Sequence, residues 1–193
     1  MIDCGANHGF TTALFAKWTG SKGRVFAYEP SSHNVEILQS NLKLNSVENV
    51  TCRIVAVGSA SGTVDITTHP NAAVIRERKE GQRSEIVPII KLDDEVFPGR
   101  VAFIKVDVEG FELEVLKGAQ RILSTKPRLT LELHVFMYHD KVGTLRKIFD
   151  LLCLDQYTVD IQPEVDGAID RLDTWPDVLE YLANREVVHL FCR

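Results

Sequence analysis

The sequence has few of the features that mark secreted, membrane or nucleic-acid-binding proteins. Its four cysteines lie far apart, and no pair has the spacing of a metal or redox motif. It contains no apolar stretch long enough to span a bilayer. Acidic residues outnumber basic ones by 27 to 22, so no overall positive charge favours nucleic acid. We therefore expect a reduced, cytoplasmic protein with no signal peptide and no membrane partner.

The chain of 193 residues, 45% of them hydrophobic, suits a single domain over residues 1–193 with a sizeable core. Strand-like and helix-like segments alternate, which predicts a mostly parallel, seven-stranded α/β sheet with helices on both faces. Strands are predicted at 24–29, 49–57, 101–108, 128–135, 157–161 and 187–192, and helices at 10–18, 32–44, 111–123, 142–154 and 176–183. Segments 63–67 and 85–90 are predicted to form an antiparallel pair around a polar, mobile loop, 69–84.

Residues 3 to 9 form a D-x-G-x-x-x-G loop, and Glu29 follows at the end of the next predicted strand. Glycines at a strand-to-helix turn let a ligand approach the backbone, and a carboxylate at Glu29 suits ribose hydroxyls. Asp3 would repel a pyrophosphate but suits a ligand with an amino group. S-adenosylmethionine is such a ligand. The alternative is an ordinary βα turn followed by a surface glutamate.

Only Met1 and Ile2 precede this loop, so the first strand has almost no length. We therefore expect an amino-terminally truncated version of the fold, in which residues that cover the substrate are absent.

Two predicted strands carry polar residues on one face, although strands of a parallel sheet are usually buried on both faces. Lys105, Asp107 and Glu109 alternate along the first, and Glu132 and His134 along the second. If the strands are neighbours, these side chains meet at the carboxyl edge of the sheet, where ligands bind. We expect Lys105 to pair with Glu132 or Asp107. A purely structural ion-pair network remains an alternative for Lys105 and Glu132.

The same residues suit transfer of a methyl group from a sulfonium to a hydroxyl, which needs a proton acceptor. His134 is the first candidate because the pKa of histidine lies near neutrality, with Asp107 or Glu109 orienting it or acting as the base. A metal-assisted version would use Asp107, Glu109, Glu132 and His134 as ligands. We favour the metal-free version, because the sequence contains no H-x-x-x-H or comparable ligand spacing.

Several motifs resemble those of FkbM-family methyltransferases. They are Val106 to Glu112, Leu116 to Ala119, the loop at 3 to 9, Tyr28 to Pro30, Asn41 to Asn45 and Ala56 to Gly58. The resemblance extends to about residue 135. It implies a Rossmann-like class I methyltransferase that binds S-adenosylmethionine and methylates hydroxyls of sugars or other natural products.

By that resemblance Asp3, Gly5 and Glu29 bind the cofactor, and Asp107 lies beside the transferred methyl group. Together with the loop reading, the expected cofactor residues are Asp3, Gly5, Ala6, Asn7, Gly9, Glu29, Pro30, Ala56, Val57 and Asp107, and the expected catalytic residues are Asp107, Glu109 and His134.

Two other functions stay open. A nucleic-acid methyltransferase would share the fold and could use the basic run between residues 76 and 83, but the net charge of −5 argues against it. A catalytically silent module that only binds the cofactor is the third hypothesis. The acidic segment 162–173 is predicted to be a loop at the active-site edge.

Overall fold

The fold is built around a central sheet. The structure is a computed structural model that describes residues 1–68, 71–75, 81, 83–152, 157–163, 167–172 and 178–193. In chain order the strands are β1 (Ile2–Cys4), β2 (Val25–Tyr28), β3 (Val50–Arg53), β4 (Ala56–Val57), β5 (Gly62–Thr67), β6 (Ser84–Ile90), β7 (Phe103–Val106), β8 (Arg128–His134), β9 (Val159–Gln162), β10 (Asp170–Arg171) and β11 (Val187–Cys192). The helices are α1 (Phe10–Thr19), α2 (Ser32–Leu44), α3 (Glu112–Lys117), α4 (Gln120–Leu123), α5 (Lys141–Leu152) and α6 (Leu179–Ala183). Short 3-10 helices cover Leu92–Asp94 and Val135–Met137.

The strand order of the main sheet is β10-β9-β11-β8-β7-β1-β2-β3. From β3 to β8 all neighbours are parallel, whereas β11 is antiparallel to both of its neighbours. The predicted α/β class and mostly parallel sheet are confirmed. Within the described residues the sheet has eight strands, one more than predicted. The additional strand is β10, which lies in the segment 162–173 that was expected to be an acidic loop and pairs with β9.

The first two helices begin and end where the sequence predicts. Ser31 caps α2, since its hydroxyl accepts the backbone N–H of Asn34 at 3.4 Å. Gly20 ends α1 with a φ of +65°, a conformation that favours glycine. Helix α2 buries Val35, Leu38 and Leu42, which recur at helical spacing. β1 ends at Cys4 and α1 begins after Gly9, so the loop at residues 5 to 9 lies directly between them.

The predicted third strand, 49–57, divides between two sheets. β3 pairs with β2 as far as Arg53, opposite Tyr28, and β2 ends there. β4 instead pairs with β6, which also pairs with β5, so a second sheet of order β4-β6-β5 forms. The antiparallel pairing of β5 and β6 confirms the prediction for those segments. The second sheet contributes Ala56 and Val57 to one side of the cleft described below.

The predicted helix at 111–123 is wrong as a single element, because it is interrupted at Gly118 and Ala119. A Cβ on Gly118 would lie 1.9 Å from the carbonyl oxygen of Gly58, so close packing requires glycine there. Asp93 then caps α4 by accepting the backbone N–H groups of Arg121 and Ile122 at 2.7 and 3.0 Å. The interruption therefore lets the chain around Gly58 and Asp93 pack against the helices.

Some predictions fall on residues outside the described ones. They concern part of the mobile loop (69–70, 76–80 and 82), the end of the helix at 142–154, the start of the helix at 176–183 and residues 164–166 of the acidic loop. In the described part of the chain, no helix is long and apolar enough to cross a membrane. Cys4, Cys52 and Cys192 are free thiols.

The glycine loop packs against the strand that carries Asp107. Gly5 has a φ of +78°, and a Cβ there would lie 1.7 Å from the carbonyl oxygen of Asp107. Gly9 has a φ of +79°, and its Cβ would lie 2.7 Å from the side chain of Leu38. Both positions therefore require glycine, and Gly5 brings the loop into direct contact with the end of β7.

We predict that Gly5→Ala destabilises the fold more than Gly20→Ala does. Both glycines have a positive φ, but a Cβ on Gly20 meets no atom within 4 Å. The difference in unfolding free energy should be about 1–3 kcal/mol, as expected for overpacking. Urea unfolding of the two variants measures it, and equal losses would show that the contact at Asp107 relaxes freely.

Candidate active site

A cleft opens at the carboxyl ends of β1, β2 and β7, with about 580 Å³ of empty space including its mouth. Of the residues predicted to bind the cofactor, Gly5, Asn7, Glu29, Pro30, Ala56, Val57 and Asp107 line it, and the predicted catalytic Glu109 does so too. The wall is completed by Tyr28, Val55, Asn71, Ala72, Val74, Val108 and Phe111, which the sequence reasoning did not assign to the site.

Glu29 is a fixed hydrogen-bond acceptor in this wall. Its side chain is buried, one oxygen accepts the backbone N–H of Asn7 at 2.9 Å, and the other accepts from the Ser31 backbone and the Asn34 amide, each at 3.1 Å. Burial raises the pKa of Glu29, while these three donors lower it. The carboxylate therefore has one orientation, and its remaining lone pairs are available to hydroxyl donors.

The loop at residues 5 to 9 is attached to the elements on both sides of it. The backbone N–H groups of Gly5 and Ala6 donate to the carbonyl of Tyr28 at 2.9 and 3.1 Å. The amide of Asn41, on α2, donates to the carbonyl of His8 at 2.8 Å. Asn7 adopts a φ of +46°, a left-handed conformation that asparagine tolerates better than most residues. The loop is thus held in one shape at the bottom of the cleft.

Three predicted cofactor residues do not line the cleft in the structure: Asp3, Ala6 and Gly9. Asp3 has no exposed surface, accepts the Thr12 hydroxyl at 2.6 Å and lies 3.6 Å from Lys105 Nζ. Burial raises the pKa of Asp3, against the charge of Lys105. Asp3 therefore lies behind the cleft, where it positions Lys105 and α1, and its contact with the cofactor stays a prediction. The residues next to Asp3 in the sequence could not indicate its pairing with Lys105, because Lys105 is distant along the chain.

Lys105 joins the cofactor loop to the predicted catalytic strand. Its Nζ donates to Asp107 Oδ2 at 2.9 Å and to the carbonyl of Gly5 at 3.3 Å. Burial lowers the pKa of Lys105, but the charges of Asp3 and Asp107 raise it by more than burial lowers it. The net pKa is therefore raised, and the amine stays protonated. The predicted pairing with Asp107 is confirmed.

The two polar strand faces meet, as predicted, around His134. Its Nε2 lies 3.4 Å from Glu109 Oε2, 3.8 Å from Glu132 Oε1 and 3.9 Å from Asp107 Oδ1. Its Nδ1 lies 2.9 Å from Glu112 Oε1. The parallel pairing of β7 with β8 produces this arrangement, because it brings the carboxyl ends of both strands to one edge.

Glu112 belongs to the cluster around His134, and the sequence reasoning missed it. It is fully buried at the start of α3, and besides His134 it accepts the Gly110 N–H at 2.9 Å and the Tyr138 hydroxyl at 2.8 Å. Glu112 is the last residue of the motif from Val106 to Glu112. A charged residue within a buried motif is the signal in the sequence that could have indicated its importance. A buried carboxylate with three partners fixes the imidazole of His134 in one orientation.

The carboxylates change the protonation state expected for His134. Burial lowers its pKa, but the hydrogen bond and charge of Glu112, with the charges of Glu109 and Asp107, raise it to about 9. His134 is therefore an imidazolium near neutral pH, and the predicted pKa near neutrality is wrong. Burial also raises the pKa of Glu109, despite the nearby charge of His134.

The backbone is strained where β7 leads into α3. Glu109 has a φ of +51°, and Gly110 follows with a φ of +85°. A non-glycine residue in the left-handed region costs about 1–3 kcal/mol, and such residues cluster at functional sites. A Cβ on Gly110 would lie 2.7 Å from the side chain of Met137. The turn thus holds Glu109 against the cleft at a cost in stability.

Asp107, Glu132 and His134 form a group whose donor atoms all lie within 4.8 Å of one another. Glu132 has a second partner in His189, whose Nε2 lies 3.3 Å from its Oε2. The hydrogen bond from His189 lowers the pKa of Glu132. The carboxylate of Glu132 is therefore ionised and directed towards His134.

Comparison with known proteins gives similarity over most of the chain. Hexuronic acid methyltransferase AglP of Haloferax volcanii is 30% identical over 137 residues, covering 69% of this chain and 55% of that protein. Methyltransferase 1 of Beauveria bassiana is 29% identical over 143 residues, covering 61% of this chain and 57% of that protein. The chain thus spans little more than half the length of these relatives.

The crystal structure of Methyltransferase FkbM from Methylobacillus flagellatus superposes with a TM-score of 0.62, at 24% identity over 99% of this chain and 42% of that one. This similarity supports the fold and confirms the class I methyltransferase architecture. The Methyltransferase FkbM domain matches residues 3–186. The chain therefore belongs to the FkbM methyltransferase domain family.

Proposed function

We propose that this domain binds S-adenosylmethionine in the cleft and transfers its methyl group to an oxygen of a small molecule. The observation that carries the proposal is one continuous wall with a fixed acceptor, Glu29, at one end and the Asp107–Glu109 carboxylates at the other. A ligand that spans this wall can donate hydroxyl hydrogen bonds to Glu29 at one end and lies beside the carboxylates of Asp107 and Glu109 at the other. The family membership supports methyl transfer as the reaction.

The residues present fit this cofactor. Glu29 would accept the ribose hydroxyls, and the missing side chain at Gly5 leaves room for a ligand against the backbone. Val55, Val57 and Phe111 form an apolar part of the wall that suits a purine. The bound cofactor supplies an electrophilic methyl group on sulfur.

The chain's own residues would orient the acceptor and remove its proton. Asp107, fixed by Lys105, would hold the acceptor in line with the methyl group. Glu109 would take the proton of a hydroxyl acceptor, while the imidazolium of His134 stabilises the developing negative charge. This assigns the proton transfer to Glu109 rather than to His134.

A hydroxyl of a sugar or related natural product is the acceptor we propose. The name of AglP points to a hexuronic acid, and such a sugar offers both hydroxyl and carboxyl oxygens. A neutral hydroxyl suits a site rich in carboxylates better than an acidic group does. Alkaline treatment of the methylated product separates the two, because it releases methanol from an ester but not from an ether.

Transfer of a labelled methyl group to pools of sugars, polyketides and RNA tests the proposal directly. Label in the sugar or polyketide pool supports it, whereas label in RNA supports the nucleic-acid alternative. Cofactor binding by calorimetry without transfer to any pool would favour the silent binding module.

We predict that Glu29→Ala weakens S-adenosylmethionine binding by about 1.5–3 kcal/mol, the usual value for a hydrogen bond to a charged group. Isothermal titration calorimetry measures the change. Glu36→Ala is the matched control, because Glu36 is exposed on α2. Unchanged affinity in Glu29→Ala would reject this placement of the ribose.

We also predict that Glu109→Gln lowers kcat by about 10²–10⁴, as expected for loss of a general base. Cofactor affinity should stay within about twofold, since the change removes a charge at the acceptor end. Glu48→Gln, at an exposed site, is the control. Full activity of Glu109→Gln would leave Asp107 as the base.

The raised pKa of His134 predicts a stability that falls with rising pH. The folded protein keeps this proton up to about pH 9, whereas the unfolded chain releases it near 6.5. The stabilisation is therefore complete below pH 6.5 and disappears as pH rises through 9. The loss should be about 1–3 kcal/mol.

Urea unfolding between pH 6 and 9.5, with a chelator present, measures this change. His134→Gln should give a flatter profile than the unaltered chain. Parallel profiles for the two proteins would show that His134 has an ordinary pKa.

A further inference from the structure

Three donor atoms converge at the carboxyl ends of β7 and β8. Oδ1 of Asp107 and Oε1 of Glu132 lie 3.9 and 3.8 Å from Nε2 of His134, and the three atoms lie within 4.8 Å of one another. We propose that these atoms bind a divalent metal ion of the Mn²⁺ type, which holds the acceptor oxygen for methyl transfer. The ion itself needs only this cluster, whereas its role in catalysis rests on the proposed function.

The spacing of the donors suits one ion. Ligand atoms that each lie about 2.0–2.5 Å from a metal are separated from one another by about 3–5 Å. The donor atoms of Asp107, Glu132 and His134 all lie within 4.8 Å of one another. These separations therefore suit coordination of one ion by the three side chains.

His134 is oriented as metal-binding histidines are. Its side chain is almost fully buried, and Nδ1 is held by the buried carboxylate of Glu112 at 2.9 Å. Metal ligands of this type commonly bind through one ring nitrogen while a carboxylate fixes the other. Among the described residues, Nε2 makes charge contacts of 3.4 Å and longer but forms no hydrogen bond. In the metal-free site this nitrogen carries the imidazolium proton, and a bound ion would displace that proton and take its place facing the carboxylates.

Two of the carboxylates are oriented in the same way. Asp107 uses Oδ2 for Lys105 at 2.9 Å, which leaves Oδ1 directed at His134. Glu132 uses Oε2 for His189 at 3.3 Å, which leaves Oε1 directed at His134. Each ligand therefore has one atom held by an outer partner and the other aimed at the same point, which a solvated acidic surface does not require.

The donor set favours the chemical class of the ion. Carboxylate oxygens suit Mg²⁺ and Mn²⁺, and imidazole suits first-row transition metals, so two carboxylates with one imidazole favour Mn²⁺. Asp107 follows the end of β7, and Glu132 and His134 lie at the end of β8.

A metal here would act on the acceptor hydroxyl. Coordination lowers the pKa of a bound hydroxyl, so the O–H bond breaks more easily and its proton passes to Glu109. The oxygen's electron pair then forms the bond to the methyl carbon, and the electron pair of the S–CH₃ bond stays on sulfur. The ion is neither oxidised nor reduced.

Titration of the chelator-treated full chain with Mn²⁺, followed by electron paramagnetic resonance of the free ion, tests the site without cofactor or acceptor. We expect one ion per chain, bound more tightly than about 10⁻⁴ M. Spin-echo modulation of the bound Mn²⁺ should show one directly coordinated histidine nitrogen. Absence of binding, or of the nitrogen coupling, would overturn the proposal in the unaltered protein.

Variants locate the ion. Glu132→Gln and His134→Asn should each weaken Mn²⁺ binding by at least about tenfold. His139→Asn is the matched control, because His139 is exposed and near in sequence. Circular dichroism checks that each variant is folded. If a variant is unfolded, the nitrogen coupling of Mn²⁺ bound to the unaltered chain shows whether a histidine coordinates the ion. Equal affinity in all variants would place the ion elsewhere and reject the site.

The two proposals fail separately. Methyl transfer that persists at full rate in chelator, with no Mn²⁺ bound, overturns the metal site and leaves the proposed function intact. Mn²⁺ bound at the cluster, with no transfer to any oxygen acceptor, supports the metal site and overturns the proposed function.

Discussion

The rest of the cleft depends on the contacts of one buried ammonium group, that of Lys105. It lies opposite Asp3 in the β1–β7 pairing and reaches both Asp107 and the carbonyl of Gly5. Removing an ammonium group from water costs several kcal/mol, so Lys105 can be buried only because the carboxylates of Asp3 and Asp107 lie beside it. Asp3, Gly5 and Asp107 are therefore positioned together. The cofactor loop and the acceptor end of the cleft share one buried charge.

Elements that depend on local chemistry could be predicted from the sequence. Ser31 and Gly20 cap helices through atoms within a few residues of themselves, so α1 and α2 begin and end as expected. Glu29 was identified because a carboxylate after a strand has a position that the fold class determines. The alternating polar residues of β7 and β8 predicted correctly that Asp107 and His134 lie close together, since parallel neighbours align their ends.

Features that depend on contacts between distant residues could not be predicted in this way. The strand at 49–57 divides because β2 ends at Tyr28 while β6 offers Ala56 a new partner. His134 has a raised pKa because Glu112 packs against it, and nothing in the local sequence of either residue indicates that contact. The burial of Asp3 behind the loop depends on Lys105, which belongs to another strand, so the local sequence of Asp3 does not indicate it.

The two ends of the cleft compensate negative charge in different ways, and this difference explains where a cation is needed. At the cofactor end, the carboxylate of Glu29 is satisfied by three N–H donors, two of them from the backbone. At the acceptor end, Asp107, Glu109 and Glu132 surround a single imidazole, and the strained turn at Glu109 keeps them close. Fixed dipoles compensate the single carboxylate of Glu29, whereas the carboxylates at the acceptor end depend on the cationic side chains of Lys105 and His134 and, under the proposed metal site, on a bound ion.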